Sequence, residues 1–271
     1  VLHDAERGEC FYSECGKNME LGLKNKVALV TGGSQGLGRV ICQSLAAEGA
    51  KVVVNYRRHE DKAQAIVEEL EQSCGVEAMA VYGDVAQEAD VQKMFDSIEA
   101  RFSLVEILVN NAALCPTCMV KDMSYDEWTE TVSVNLNGTF LTSRELVRRL
   151  LAAERPGRIV KVSSQAAFRG STTGHAPYDA SKGGIVSFTV SLAREVASQG
   201  IAVNAVAPGM MFTEMTADKL KANEAKYLAR IPLRRIAETK EIADVIVFLA
   251  SERASYMTGA TVDVSGGMLM R

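Results

Sequence analysis

VALVTGGSQGLG, from Val27 to Gly38, is the stretch that decides the fold. Its apolar start predicts a strand, and the glycines that follow predict a tight turn into an amphipathic helix over Gly36–Ala47. Glycines let a pyrophosphate approach the backbone closely, and a helix N-terminus offers unpaired N–H groups and a favourable dipole. Because the glycines lie between a predicted strand and a predicted helix, this stretch predicts a nucleotide-binding βαβ unit.

Beyond this stretch, short apolar runs alternate with helix-length amphipathic segments. The runs predict strands at Val27–Val30, Val52–Val54, Ala78–Val81, Ile107–Val109, Arg158–Val162, Val203–Val206 and Thr261–Val264. The segments predict further helices at Glu60–Gln72, Glu88–Arg101, Trp128–Leu151 and Tyr178–Ala197. This alternation is typical of a parallel sheet with helices on both faces, so we expect a single doubly wound α/β domain with a mostly parallel seven-stranded sheet.

Two segments fall outside the alternation. Residues 1–18 are charged and lack the apolar core of a signal peptide, so we treat them as an N-terminal extension of unknown role before a dinucleotide-binding domain at 19–271. Met210–Arg230 is charged, rich in Met and poor in strand-forming residues. We interpret it either as a mobile cover over a binding site or as an ordinary pair of surface helices.

The composition limits the classes of partner. The 271 residues are 47% apolar and 24% charged, with a formal net charge of −4, which is ordinary for a folded globular domain. No long basic run is present, so no nucleic-acid partner is expected. No apolar stretch approaches the roughly 20 residues of a membrane span, so no membrane partner is expected either. Six cysteines without a secretory signal favour reduced thiols and a cytoplasmic location.

Cys115-Pro116-Thr117-Cys118 has the spacing of some redox and zinc motifs. A structural zinc site needs four ligands, but the chain has no second Cys pair of this spacing and its three histidines are scattered. We therefore interpret this segment as an ordinary loop and expect no metal site.

The second predicted strand is followed by Asn55-Tyr56-Arg57-Arg58, at a position where dinucleotide-binding folds select their cofactor. An acidic side chain there bonds the ribose 2′-hydroxyl of NAD, whereas arginine suits a 2′-phosphate. None of Asn55, Tyr56 and Arg57 is acidic. We therefore expect NADP(H) to be favoured over NAD(H), with Tyr56 and Arg57 at the cofactor, although a solvated Arg57 is the plain alternative.

Tyr178 is followed four residues later by Lys182, so both side chains lie on one face of a predicted helix. A free phenol titrates near pH ~10, and a nearby ammonium stabilises the phenolate. We therefore expect Lys182 to lower the pKa of Tyr178 and to make it a proton donor and acceptor near neutral pH. By itself this spacing is also typical of a surface contact.

Motifs that occur in one order between Leu23 and Met270 resemble the short-chain dehydrogenase/reductase family. They are Thr31–Gly38, Asp84-Val85, Asn110–Ala113, Asn135, Ser163-Ser164, Tyr178-x-x-x-Lys182, and Pro208-Gly209 with Thr213. The resemblance implies a Rossmann-type fold in which Asp84 contacts the adenine and Asn111 lies beside the cofactor. The full implied cofactor-binding set is Gly32, Ser34, Gln35, Gly36, Leu37, Gly38, Tyr56, Arg57, Asp84, Val85, Asn111, Ala112, Tyr178, Lys182, Pro208, Gly209, Met211 and Thr213, of which the last four border the nicotinamide.

The same resemblance implies a catalytic set of Asn135, Ser164, Tyr178 and Lys182. Tyr178 would donate a proton to a ketone oxygen as hydride arrives, or remove it from an alcohol. Lys182 would favour the phenolate and hold the nicotinamide ribose, and Ser164 would hydrogen-bond the reacting oxygen. We predict Ser164 rather than Ser163, although its distance from Tyr178 is one position longer than is common in relatives, a difference that a loop at Phe168–Ala176 can absorb. The role of Asn135, anchoring a water chain from Lys182 to solvent, comes from the family alone.

The sequence indicates the substrate less clearly than the type of reaction. Ser191–Ala197, Pro208–Met215 and parts of Ile231–Met268 resemble 3-oxoacyl-[acyl-carrier-protein] reductases, whereas Val52–Arg57 and Asn135–Ser143 resemble glucose 1-dehydrogenases and other polyol dehydrogenases. We predict an enzyme that interconverts a ketone and a secondary alcohol, with an NADPH-dependent 3-oxoacyl-thioester reductase as the first interpretation. The alternatives are a sugar or polyol dehydrogenase and a non-catalytic dinucleotide-binding regulator, which would not need the phenol of Tyr178.

The resemblance also implies macromolecular partners. Acyl carrier protein would dock on basic residues; Arg155 aligns with one docking arginine, whereas Gln199 occupies the other docking position. The arginines available for a positive patch are Arg148, Arg149, Arg155 and Arg158. A homotetramer is expected through the predicted helices Trp128–Leu151 and Tyr178–Ala197.

Overall fold

The computed structural model describes residues 20–212 and 224–270. Within these residues the strands are β1 (Val27–Val30), β2 (Lys51–Tyr56), β3 (Ala78–Tyr82), β4 (Ile107–Asn110), β5 (Gly157–Val162), β6 (Ile201–Pro208) and β7 (Thr261–Val264). They form one seven-stranded sheet in the order β3-β2-β1-β4-β5-β6-β7, and every neighbouring pair is parallel. The predicted single doubly wound α/β domain is confirmed.

The helices are α1 (Gly36–Ala47), α2 (Glu60–Cys74), α3 (Glu88–Phe102), α4 (Tyr125–Val132), α5 (Gly138–Ala152), α6 (Ala166–Arg169), α7 (Ala176–Val196), α8 (Glu224–Leu228) and α9 (Thr239–Ala250). The predicted segment Trp128–Leu151 is helical throughout, but a π-helical turn at Ser133–Asn137 divides it into α4 and α5. The expected loop at Phe168–Ala176 is shorter than predicted, since α6 extends to Arg169 and α7 begins at Ala176.

The sheet separates two apolar cores, as its period-two alternation requires. On one face, β1 contributes Ala28 and Val30, which belong to a core built with α1, α2 and α9. On the other face, Leu29 belongs to a core built with α3, α5 and α7. Both faces of the central strands are therefore buried, and the polar residues that follow the strands collect at the carboxyl edge of the sheet.

Some predicted features lie outside the described residues. These are the extension 1–18, Thr213 and the greater part of Met210–Arg230. In the described remainder of that segment, Met210, Phe212 and the α8 residues Tyr227 and Leu228 pack against a small core of Ile231, Ile236 and Met268. Among the described helices, none has the length and apolar character needed to span a bilayer.

Candidate active site

The loop between β1 and α1 is shaped to receive a phosphate. Gly32 and Gly36 have φ values of 61° and 53°, which favour glycine, and a Cβ at Gly38 would collide with the carbonyl oxygen of Gly32. The side chain of Gln35 does not cap α1, and the first turn of α1 carries no acidic residue. Its N-terminal amides therefore remain available to an anion such as a pyrophosphate. The six cofactor residues predicted from Gly32 to Gly38 all lie in this loop or in the first turn of α1.

Thr31 and Asn111 fix this loop against the end of β4. The Nδ2 atom of Asn111 donates to the carbonyl oxygens of Thr31 and Gly32, both at 3.1 Å. The hydroxyl of Thr31 accepts the N–H groups of Asn111 at 2.9 Å and Ala112 at 3.1 Å. Asn111 and Ala112 thus lie beside the predicted cofactor loop, and the Asn111 amide supports its backbone. Thr31 belongs to the Thr31–Gly38 motif, but the motif gave no sign of this anchoring role.

Asn55 also supports the glycine loop. Its Oδ1 accepts the N–H of Gly32 at 3.2 Å, and its Nδ2 donates to the carbonyl oxygen of Gly83 at 3.0 Å. The side chain is buried. Asn55, near the end of β2, therefore ties the ends of β1, β2 and β3 together. Its position after the predicted strand Val52–Val54 did not indicate this structural role.

Arg57 and Asp84 lie together at the adenosine end of the predicted cofactor site. Nη1 of Arg57 is 3.4 Å from Oδ2 of Asp84, and Nη2 is 4.0 Å from Glu130. Burial and a hydrogen bond with Glu60 raise the pKa of Tyr56. Arg57 is therefore neither simply solvated nor unpaired: a 2′-phosphate would have to compete with Asp84 for its guanidinium.

Val85, the other predicted residue of this region, has a structural contact. It is buried, and a Cβ at Gly138 would lie 2.7 Å from its Cγ2 atom. Glycine at the start of α5 thus lets that helix approach the chain that follows β3. The contact between Val85 and Gly138 therefore sets the distance between α5 and the segment after β3, which borders the predicted cofactor site.

The hydroxyl of Ser164 lies near enough to the phenol of Tyr178 to lower the pKa of Tyr178 by hydrogen bonding. Ser164 follows β5 directly, is buried, and also accepts the N–H of Ala166 at 3.1 Å. Ser163 instead donates its hydroxyl to the carbonyl oxygen of Lys182 at 2.9 Å. The fold therefore brings Ser164, and not Ser163, to the phenol, while its catalytic role stays a prediction.

The expected lowering of the Tyr178 pKa is wrong for this geometry. Burial of the hydroxyl raises the pKa of Tyr178 to about 12, and the hydrogen bond with Ser164 offsets only part of that rise. The Nζ atom of Lys182 lies 5.5 Å from the centroid of the phenol ring and donates to the carbonyl oxygen of Val162 at 2.6 Å. Burial likewise lowers the pKa of Lys182 to about 8. Desolvation dominates both groups, because the Lys182 side chain is buried and Tyr178 is partly buried.

Asn135 lies in the π-helical turn and links two parts of the site. Its Oδ1 accepts the N–H of Leu114 at 2.7 Å, and its Nδ2 donates to the carbonyl oxygen of Leu114 at 2.9 Å and to the hydroxyl of Ser181 at 3.0 Å. The Ser181 hydroxyl donates to the carbonyl oxygen of Tyr178 at 2.7 Å. Asn135 thus joins the loop after β4 to the helix that carries Tyr178, and single-turn π-helices are frequent at functional sites. The water-chain role stays a prediction.

Pro208 and Gly209 close the site at the end of β6. The carbonyl oxygen of Pro208 accepts the N–H of Gln165, next to Ser164, at 2.9 Å. A Cβ at Gly209 would lie 2.8 Å from the Cα of Ser265, so glycine permits this close approach. Met211 forms an isolated bridge with Ala237. Thr213 lies outside the described residues, so its predicted place at the nicotinamide stays a prediction.

The described residues hold no cluster of three or more His, Cys, Asp or Glu side chains that could bind a metal ion. The groups gathered here are instead hydroxyls, an amine and backbone amides beside a phosphate-shaped loop. That arrangement suits a dinucleotide and a carbonyl compound.

Comparisons with known proteins agree with this geometry. A family model described as "Enoyl-(Acyl carrier protein) reductase" matches residues 32–269. The chain is 41% identical over 249 residues to a 3-oxoacyl-[acyl-carrier-protein] reductase of Staphylococcus epidermidis, covering 91% of this chain and 100% of the relative. It is 40% identical over 250 residues to the Aquifex aeolicus protein of the same name, covering 92% and 100%.

Solved structures give the same result. A putative gluconate dehydrogenase from Agrobacterium tumefaciens superposes with a TM-score of 0.88 at 32% identity, covering 94% of this chain and 100% of that one. A short-chain type dehydrogenase/reductase from Mycobacterium marinum superposes with a TM-score of 0.88 at 30% identity, covering 93% and 98%. The chain therefore belongs to the short-chain dehydrogenase/reductase family and is an NAD(P)-dependent oxidoreductase that acts on CH–OH and ketone groups.

Proposed function

We propose that this enzyme reduces the ketone of 3-oxoacyl thioesters with NADPH. The juxtaposition of the Ser164 hydroxyl and the Tyr178 phenol, at the carboxyl edge of the sheet beside the glycine loop, carries this proposal. With a pKa of about 12, Tyr178 is protonated at neutral pH and can donate a proton to a ketone oxygen. Ser164 can stabilise the charge that develops on that oxygen. A bound nicotinamide would supply the hydride.

The residues at the glycine loop fit the cofactor. The amides at the start of α1 would hold its pyrophosphate, and Lys182 would hold its nicotinamide ribose. Arg57 supports a preference for NADPH, because its guanidinium can form a bidentate contact with a 2′-phosphate. Asp84 would then exchange that ion pair for a contact with the adenine.

The relatives support the thioester substrate. The Staphylococcus epidermidis and Aquifex aeolicus proteins are both described as reductases of 3-oxoacyl groups on acyl carrier protein. Acyl carrier protein is therefore the proposed macromolecular partner. Its acidic surface would have to compete with internal carboxylates, because Arg155 pairs with Glu106 at 3.2 Å and Arg149 pairs with Glu99 at 2.7 Å.

A sugar or polyol dehydrogenase is the second candidate. It is favoured by the superposition on a protein described as a putative gluconate dehydrogenase, together with the polyol-dehydrogenase-like segments Val52–Arg57 and Asn135–Ser143. Such an enzyme would use Tyr178 in the opposite direction, as the base that removes the alcohol proton. The non-catalytic regulator is set aside by the membership of an enzyme family.

A substrate panel separates these candidates. Loss of NADPH absorbance is followed with acetoacetyl thioesters of coenzyme A and of acyl carrier protein, and formation of NAD(P)H is followed with glucose and gluconate. A crotonyl thioester tests reduction of a carbon–carbon double bond, the activity named by the family model. Turnover of the acetoacetyl thioesters at the highest kcat/KM supports the proposal; turnover of the sugars or of the crotonyl thioester alone overturns it.

A cytoplasmic homotetramer is the proposed assembly. Three large apolar side chains on α5 and α7 are exposed to solvent in the single chain: Phe140, Leu151 and Val190. Such a surface favours helix packing against further copies. None of the four cysteines among the described residues forms a disulfide, which fits a reducing compartment. A monomeric mass in sedimentation equilibrium would contradict the tetramer.

A further inference from the structure

The loop after β4 brings a thiol to the catalytic site. The Sγ atom of Cys115 lies 3.7 Å from Nδ1 of His175, the residue directly before α7. Cys115 also acts electrostatically on the two proton-transfer groups, because its charge raises the pKa of both Tyr178 and Lys182. Cys115 is exposed. A thiol that dissolved reagents can reach therefore lies beside the phenol and the amine.

The fold holds this loop in place at both ends. Both backbone groups of Leu114 are hydrogen-bonded by Asn135, at 2.7 and 2.9 Å. The N–H of Cys118 donates to the carbonyl oxygen of Gly174 at 2.9 Å. Gly174 has a φ of 81°, and a Cβ there would lie 2.8 Å from the carbonyl oxygen of Cys118, so this contact favours glycine. The position of the Cys115 sulfur thus follows from the packing of the loop against α7.

The hydrogen bonding of His175 determines the protonation state of the nitrogen beside the Cys115 sulfur. Nδ1 of His175 lies 2.7 Å from the carbonyl oxygen of Pro116. Since a carbonyl oxygen only accepts, Nδ1 must carry the hydrogen, which it donates to Pro116. The Cys115 sulfur lies 3.7 Å from the same nitrogen. The polarised Nδ1–H group beside the sulfur and the Lys182 ammonium, which interacts electrostatically with Cys115, both stabilise a thiolate, the nucleophilic form of cysteine.

Cys118, three residues later, has the opposite surroundings. Its thiol donates to the carbonyl oxygen of Met119 at 3.6 Å. Burial and the carboxylates of Glu127 and Asp122 raise the pKa of Cys118, so it stays a thiol at neutral pH. The same loop therefore carries one cysteine in a thiolate-favouring environment and one in a thiolate-disfavouring environment.

We propose that Cys115 is a thiol-modification site that blocks the active site by forming a mixed disulfide with a low-molecular-weight disulfide such as oxidised glutathione. The Cys115 thiolate attacks one sulfur of the reagent, the S–S bond of the reagent breaks, and a bond forms between that sulfur and Sγ of Cys115. The other half leaves as a thiolate and takes a proton from water. Cys115 is oxidised, and the leaving half is reduced. The bound group then covers Tyr178 and Lys182, and excess thiol removes it.

Oxidised glutathione and the full-length protein test this proposal. Peptide mass spectrometry gives the rate of modification at each cysteine, and residual ketone reduction is measured in the same samples. We expect Cys115 to react about tenfold or more faster than Cys118. We also expect activity to fall in proportion to Cys115 occupancy and to return with dithiothreitol. Equal rates at the two cysteines, or full occupancy of Cys115 without loss of activity, would overturn the proposal.

Matched variants complete the test. Cys118→Ser should be inactivated by oxidised glutathione at the wild-type rate, whereas Cys115→Ser should keep whatever activity it has in the presence of the reagent. His175→Ala should slow modification of Cys115 several-fold, because it removes the polarised ring nitrogen that lies 3.7 Å from the sulfur. An unchanged rate in His175→Ala would contradict the assigned geometry. If Cys115→Ser does not fold, the relation between Cys115 occupancy and activity in the wild-type protein still tests the proposal.

Discussion

The Nζ atom of Lys161 lies 3.5 Å from the centroid of the Phe188 ring, in the core between β5 and α7. Lys161 is fully buried, and its Nζ has no hydrogen-bond partner in the described part of the chain. Burial lowers the pKa of Lys161 to about 7. The ring face offsets only part of the cost of a buried ammonium, so this residue destabilises the folded protein when it is charged.

Lys161→Met should therefore stabilise the protein, and more at about pH 6 than at about pH 10. The unfolded chain keeps the lysine proton up to a pKa of 10.5, whereas the folded chain releases it at about 7. Stability of the wild-type protein rises with pH between these values, and below about pH 7 the whole penalty, at most roughly 5 kcal/mol, is present. Met keeps an apolar stem against Phe188 without a charge. Urea unfolding at both pH values checks this, and a gain that does not depend on pH would contradict it.

The fold was largely predictable because its strands are apolar runs separated by helix-length segments. Each predicted strand end lies within two residues of the observed one; β1 and β7 match in full, whereas β6 extends two residues further at each end. The π-helical turn at Ser133–Asn137 was not predicted, because a shift of one residue in hydrogen bonding leaves no mark on apolar periodicity. The short helix α6 was missed because four residues are too few to show a helical period.

The sequence predicted where the candidate residues lie relative to one another better than it predicted their electrostatics. Helical spacing placed Tyr178 and Lys182 on one face of α7, but the sign of the Tyr178 pKa shift depends on burial, which arises from tertiary packing. Likewise, the sequence does not reveal that the carbonyl oxygen of Val162 binds the amine. The pairing of Arg57 with Asp84 joins residues that are distant in sequence, so the composition after β2 alone could not show it.

Asn135→Ala should destabilise the protein and lower kcat. The variant removes hydrogen bonds to both backbone groups of Leu114 and to Ser181, inside a buried site. Leaving buried polar groups unpaired costs about 1–3 kcal/mol, and the loop after β4 loses its link to α7. Ser181→Ala is the graded control, because it removes only one of these contacts and should have a smaller effect on urea unfolding. Equal stability of Asn135→Ala and the wild-type protein would contradict the assignment.

Arg57→Ala should weaken NADPH binding about tenfold or more and change NADH binding little, because only NADPH carries the 2′-phosphate. Arg58→Ala is the matched control: it removes the same charge from the neighbouring, exposed position and should affect both cofactors slightly. Fluorescence titration of both cofactors measures the effects. A similar loss for NADPH and NADH in Arg57→Ala would show that this arginine does not bind the phosphate.

Tyr178→Phe should lower kcat by about 100-fold or more while cofactor affinity stays near the wild-type value, because the change removes the proton-transferring oxygen and keeps the ring. Tyr125→Phe, which removes a phenol oxygen from an exposed side chain far along the chain, should keep wild-type turnover. Steady-state kinetics on the best ketone substrate and NADPH titration measure both quantities. A Tyr178→Phe enzyme with most of its activity would exclude the phenol as proton donor.

The kcat/KM for NADPH should be constant below about pH 8 and should fall above it. This ratio reports the ionisation of the enzyme without cofactor, in which burial lowers the pKa of Lys182 to about 8. Below that value the amine is charged and can hold the ribose; above it the charge is lost. Lys182→Arg keeps a positive charge at high pH, so its ratio, although lower throughout, should not decline near pH 8. A decline at the same pH in Lys182→Arg would assign the titration to another group.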